Sequence, residues 1–287
     1  MEQNNFIYGY YFDKNTHNGK ITSLEALDDN KQYWLHFDYT LESTSKWLEE
    51  NSHLPSVVVS ALLDDESRPR ATPLNDGVLI ALRGVNLAAN SNPEDMVSIR
   101  IWLTKDKIIS TRRRTLLSTM ELADNFENGT GPTSPTQLVA ILSDLLISRM
   151  SHTIYEIEDK VSEIEENILT SSSYQLRNEL SDLRRQIISL RRYLSPQREA
   201  MTQLTSEKVT LFSIEEKIQL REAIDHLIRF IEDLDAVKDR AIVCQEELTN
   251  SLTEQMNNRM FVLSVVAAIC SGQVKLATDL YSSQYLF

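Results

Sequence analysis

The sequence predicts an α+β fold: an N-terminal α/β sheet domain, then a helical hairpin, then one very long C-terminal stalk helix. Three observations carry this. Strand-like alternation and short helical patches are mixed only before residue 128. From Ser134 onward the apolar spacing is that of helices alone. Between Ser213 and Asn258 there is no Gly and no Pro, and an apolar seam runs through Leu220, Ala223, Leu227, Phe230, Leu234, Val237, Ala241, Cys244 and Leu248. Its steps alternate three and four, so all nine side chains fall on one stripe that other helices must cover.

In chain order, residues 8–13 and 33–39 are aromatic and alternating, as half-buried strands are. Residues 41–50 and 56–64 read as short helices. Three further strands follow over 78–87, 96–103 and 107–111, linked by Asn, Pro and Asp turn chemistry. The sheet is expected to be parallel or mixed, with no Gly-rich phosphate loop at any strand end. A helix over 116–126 is stopped by Asn128-Gly129-Thr130-Gly131-Pro132. The next helix covers 135–169 and ends in the serines 171–173. Its successor, 174–194, is expected to stop or kink at Ser195-Pro196. These two should pair as an antiparallel hairpin covering part of the third. That third helix opens at Ser213 with Glu216 three residues later, a capping-box pattern. At ~1.5 Å per residue, 213–269 could reach roughly 85 Å, more than a compact domain needs. The expected divisions are 1–130, 131–212, 213–269 and an atypical tail, 270–287, broken by Gly272.

With 287 residues, 41% of them hydrophobic, the chain can bury a core in one large or two modest domains. A net charge of −13 excludes nucleic acid as a partner, because phosphates require a basic surface. It suits a surface that attracts cations, or simply a solvated one. The stretch 213–258 alone holds 11 Asp and Glu against 5 Lys and Arg. Cys244 and Cys270 sit on one predicted helix, too far apart to bridge, which points to a reducing compartment. No basic start or apolar run marks a secretory signal at the N-terminus. Residues 260–270 carry no charge, yet a bilayer takes ~20 residues, so as it stands the chain is not expected to span one.

No Ser-His-Asp, Cys-His or paired-carboxylate arrangement is visible, so catalysis is not predicted. Three helical placements could serve a metal ion. Glu222 and His226 are four apart and can face one ion; His152 and Glu156 repeat the spacing. Cys244, with Glu247 three residues on, offers a thiolate that zinc could accept. Against this, Cys244 lies on the apolar seam, where a small buried hydrophobe is the commoner role. The clusters Arg112-Arg113-Arg114, Arg184-Arg185 and Arg191-Arg192 read as salt-bridge donors on so acidic a background, with anion binding as the other option.

The order of short motifs resembles the CorA superfamily of divalent-cation channels and transporters, specifically its zinc-transporting ZntB branch. The resemblance rests on Arg68-Pro69-Arg70, Leu82-Arg83-Gly84-Val85-Asn86-Leu87, Ser110-Thr111-Arg112-Arg113-Arg114 and Gly129-Thr130-Gly131-Pro132. It continues through Arg191-Arg192-Tyr193-Leu194-Ser195-Pro196-Gln197-Arg198 and Met256-Asn257-Asn258-Arg259-Met260-Phe261-Val262-Leu263-Ser264. No single motif is diagnostic, but the series is specific. It implies a funnel-shaped homopentamer on the cytoplasmic side of a bacterial inner membrane, its stalk continuing into the first transmembrane helix. It further implies a pore entrance at Asn257, Met260 and Leu263, whose spacing of three keeps them on one helix face. An amide oxygen can hold a hydrated cation there, while Met and Leu form an apolar constriction. After Ile269 the family continues as an apolar span, a Gly-x-Asn loop and a second span, which residues 270–287 do not match. Zinc, as transported or regulatory ion, is the expected partner, along with other copies of the chain and the membrane. Magnesium or cobalt handling, and a coiled-coil scaffold without an ion role, are the competing readings; hard magnesium would want clustered carboxylates.

Overall fold

The computed structural model describes residues 6–12, 19–65, 68–88, 91–170 and 174–284. Six strands form one sheet: β1 (Tyr8–Tyr11), β2 (Tyr33–Asp38), β3 (Arg70–Leu74), β4 (Gly77–Gly84), β5 (Val97–Thr104) and β6 (Lys107–Arg112). Their order is β1-β2-β6-β5-β4-β3. Only β2 and β6 run parallel; every other neighbour is antiparallel, so the sheet is mixed. The helices are α1 (Glu42–Glu50), α2 (Ser56–Leu63), α3 (Leu117–Glu127), α4 (Pro135–Thr170), α5 (Tyr174–Thr205) and α6 (Ile214–Gln284). The fold is therefore α+β, as predicted.

The alternation of β2 shows how the sheet uses both faces. Tyr33, Leu35 and Phe37 join Leu48 of α1 and Val58, Val59 and Leu62 of α2 in one buried cluster. Trp34 and His36 point to the other face, where Trp34 and Tyr10 pack on Phe126 of α3 at ring separations of 5.7 and 4.7 Å. Helix α3 ends in the predicted way. Gly129, at φ 71°, sends its N–H to Phe126 O, and Thr130 N–H reaches Asn125 O, the paired bonds of a Schellman motif.

Three elements depart from the sequence expectation. Edge strand β3 is absent from it, because Arg70-Ala71-Thr72-Pro73-Leu74 neither alternates strongly nor buries a face. Of the stop or kink expected at Ser195-Pro196, the stop does not occur: Pro196 lies inside α5, which continues to Thr205. It removes one donor to the Arg192 carbonyl, and fully buried Gln197, accepting the Arg83 N–H at 2.7 Å, pins that turn of the helix to β4. Nor does Gly272 end α6; a single glycine costs ~1 kcal/mol in a helix interior, too little to stop one. Serines 171–173 and residues 285–287 lie outside the described residues.

The chain divides into two compact units. One holds the sheet, α1 to α3, α4 as far as Glu158, and Arg185–Val237. The other holds Asp159–Arg184 and the chain from Lys238 onward. In the first unit, Glu216 of α6 accepts from Thr136 of α4 at 2.7 Å, and Asp235 of α6 pairs with Arg191 of α5. In the second, Arg240 of α6 binds Glu165 of α4, and Gln245 of α6 accepts from Arg184 of α5.

Gly77 gives a test of the approach of β4 to β5. A Cβ there would stand 2.4 Å from Leu103 O, a backbone atom, and 2.8 Å from the Trp102 ring. Gly77→Ala should lower stability by about 1–3 kcal/mol in urea unfolding. At Gly19 a Cβ would meet nothing nearer than 3.7 Å, so Gly19→Ala should change little. Equal stability of the two variants would refute the tight β4–β5 approach.

Candidate functional site

Helix α6 is anchored by the predicted capping box: the Ser213 N–H donates to Glu216 Oε2 at 2.7 Å, and the Glu216 N–H to Ser213 Oγ at 3.2 Å. All nine seam residues, Leu220 to Leu248, are buried. Opposite them the helix is exposed, and the exposed positions carry a regularity that the apolar pattern conceals. Ile218, Asp225, Glu232, Asp239, Glu246, Thr253 and Met260 recur every seven residues, all of them solvent-facing. Four successive acids thus lead along one heptad row to Met260.

Asn257, Met260 and Leu263 are exposed, Met260 by 62% and Leu263 by 68%. Phe261, Val262, Val265, Val266 and Ile269 are exposed as well, so this uncharged stretch presents apolar surface on every side. Water is a poor solvent for such a segment, and its burial against other surfaces is strongly favoured. Among the described residues no helix is long and apolar enough to cross a membrane.

The expected metal ligands fall into separate places. Glu222 and His226 stand exposed one turn apart on α6. His152 Nε2 lies 3.3 Å from Glu156 Oε1 on α4, both exposed. Cys244 is buried, its thiol 3.7 Å from Glu165 Oε1. Burial, then the charge of Glu165, pushes that thiol up to about 11, so it stays protonated at neutral pH. Glu165 itself is committed to Arg240, whose Nε donates to Oε1 at 2.9 Å; this bond holds the carboxyl below its ordinary range. Glu247, three residues on, is exposed, and its charge adds a smaller push in the same direction. Among the described residues no group of three or more His, Cys, Asp and Glu could hold a metal ion. Each placement offers two donors at most, and the Cys244 thiol is the poorest of them.

The CorA-like Mg2+ transporter protein family matches residues 29–272, from before β2 to within α6. The chain belongs to this family. It is 33% identical over 269 residues to the zinc transport protein ZntB of Pectobacterium carotovorum subsp. carotovorum (strain PC1), covering 94% of this chain and 82% of that one. ZntB of Yersinia enterocolitica is 32% identical over 272 residues, with the same coverage. Among solved structures, full-length CmaX superposes with a TM-score of 0.86 at 31% identity, covering 93% of this chain and 83% of that one. The ZntB cytoplasmic domain of Vibrio parahaemolyticus follows with a TM-score of 0.77 at 27% identity, covering 88% of this chain and all of that one. The complete CorA magnesium transporter of Methanocaldococcus jannaschii, 13% identical, shares the fold with a TM-score of 0.77 over 92% of this chain and 83% of that one.

Proposed function

We propose that this CorA-like chain forms the cytoplasmic portion of a divalent-cation transporter, gathering cations and gating a pore that several copies, five in number, enclose. Zinc is the favoured ion. The acidic row from Asp225 to Glu246, in heptad register with Met260, carries the reading. Arranged about an axis, such rows would multiply their negative potential and concentrate cations before the constriction at Asn257, Met260 and Leu263. The exposed apolar surface beyond Met260 supports an assembly inside a bacterial inner membrane, since it needs other helices or lipid around it. Two-donor placements such as Glu222 with His226 suit a zinc ion completed by a ligand from a neighbouring copy. The relatives named zinc transport protein favour zinc over magnesium. The magnesium reading keeps two supports, the description of the matching family as CorA-like Mg2+ transporter protein and the all-carboxylate chemistry of the heptad row.

One experiment separates these readings. In a Cys270→Ser background, Met260→Cys protein is oxidised in detergent and its mass measured, and it is titrated by calorimetry with zinc and with magnesium. The expected result is cross-linking between copies, a five-copy mass and micromolar zinc binding that His226→Ala weakens about tenfold or more. Absence of any cross-link together with binding of neither metal would leave a scaffold as the correct reading. Magnesium binding that survives His226→Ala and falls with Glu232→Gln would make magnesium the ion.

A further inference from the structure

The motifs that resemble the family do not all lead to α6. Arg83 from the end of β4, Arg113 and Arg114 after β6, and Arg192 of α5 come from three of those motifs, and all four line one cavity of about 380 Å³ at the end of the sheet. This cavity lies within the first unit, and transport as proposed above does not use it.

Its chemistry is that of an anion site with a fixed floor. The Arg83 guanidinium is held over the Tyr193 ring at 4.1 Å and donates to Met96 O at 3.0 Å, so its position is set before any ligand arrives. Arg113 stands 3.6 Å from Asp65, a loose and exposed pair. Arg114 and Arg192 make no ion pair with any described residue. Behind the wall lies a fifth cation. Arg100 is 1% exposed, its guanidinium 4.7 Å from the Tyr39 ring, with one bond from Nη2 to Asp65 O at 3.1 Å. Among the described residues its Nε and Nη1 have no hydrogen-bond partner. A buried cation whose donors are unsatisfied is costly, and it raises the positive potential in the space beside it. Glu94 and Asp95 complete the rim, so four guanidinium groups face three carboxylates, counting Asp65, in a chain whose net charge is −13. The local sign is reversed against the whole molecule.

We propose that this cavity binds a phosphate group, free or carried on a small molecule. Arginine is the residue suited to it: the planar fork matches two oxygens of a phosphate at once, where a lysine offers only a point charge. The volume exceeds what one phosphate fills, and the rim carboxylates Glu94 and Asp95 can accept hydrogen bonds from ligand hydroxyls. Occupancy would draw Arg192 toward the sheet, beside Arg191, which binds Asp235 of α6. A phosphate ligand would thereby bear on the packing of α5 against α6 within this unit. This inference stands whichever ion the protein carries.

The test is calorimetric titration of the full chain with inorganic phosphate, ribose 5-phosphate and ADP at constant ionic strength. It is repeated on Arg113→Gln/Arg192→Gln and on a charge control, Arg70→Gln/Lys105→Gln, all four residues being exposed. At least one probe is expected to bind, and the cavity variant to weaken it about tenfold to a hundredfold, as loss of charge-assisted hydrogen bonds does. The control should change it less than about twofold. Equal affinity for phosphate and ADP identifies free phosphate as the ligand, and tighter binding of ribose 5-phosphate or ADP an organic one. No binding by any probe, or equal losses in cavity and control variants, overturns the site.

Discussion

Between pH 7 and pH 5 the protein is expected to lose about 2 kcal/mol of stability through a single side chain, His36. His36 sits on β2, completely buried, its Nδ1 2.8 Å from Ser110 Oγ on the paired strand β6. The same hydroxyl oxygen accepts the Trp34 indole N–H at 2.8 Å. Tyr8 stacks on the imidazole at 5.6 Å, and among the described residues Nε2 has no partner. Nothing here welcomes a second ring proton. Burial, and secondarily the Arg112 cation, push the imidazole down to about 3. In the unfolded chain a histidine titrates near 6.5, so below that pH the unfolded state binds a proton that the native state refuses. Stability therefore rises with pH through this window: the contribution is complete above 6.5 and erodes as pH falls toward the folded value. The interval from 6.5 to 5 corresponds to about 1.5 units at ~1.4 kcal/mol each.

Urea unfolding of the wild type and of His36→Gln at both pH values isolates the effect, since every other titrating group is shared. The difference between pH 7 and pH 5 should be about 2 kcal/mol smaller in the variant. A ring-proton NMR signal of His36 that stays in its neutral position at pH 5 gives the same answer without a mutation. Should that signal titrate near 6.5 in the folded protein, the buried-neutral assignment is wrong.

The sequence legibly encoded what repeats and left obscure what converges. The stalk helix was visible because nine apolar residues keep one stripe over Leu220–Leu248 and its start carries a two-way cap at Ser213 and Glu216. Strands β2 and β4 to β6 were visible because aromatic and branched residues crowd them. Pro196 does not stop α5, because the local rule assumes no outside support and Gln197 supplies it through β4. The cavity at the end of the sheet could not be read at all: Arg83, Arg113 and Arg192 are far apart in the chain, and only the folded sheet brings them together. The arginine runs were the one available signal. For the candidate ligands, helical spacing placed His152 beside Glu156 correctly, but it could not tell that Glu165, from another helix, would take Arg240 and face Cys244.

Truncating Leu234 to alanine should cost about 2–5 kcal/mol, while the same change at Ile218, sixteen residues earlier on α6, should cost less than about 1 kcal/mol. Leu234 is fully buried beside the Asp235–Arg191 pair, where neighbours held by α4 and α5 can relax only in part around the void. Ile218 is 49% exposed and stands at the head of the heptad row that continues as Asp225, Glu232, Asp239 and Glu246. The contrast therefore tests which stripe of α6 the protein covers and which it leaves open. Stability must be measured across a range of protein concentrations. If copies assemble around this helix, a residue covered only in the assembly shows a cost that grows with concentration, whereas the Leu234 cost does not depend on it. Comparable, concentration-independent losses at both positions would mean that the acidic row is itself packed within one chain. In that case four carboxylates would face protein rather than ions, and the cation-gathering role of α6 would have no surface to act from.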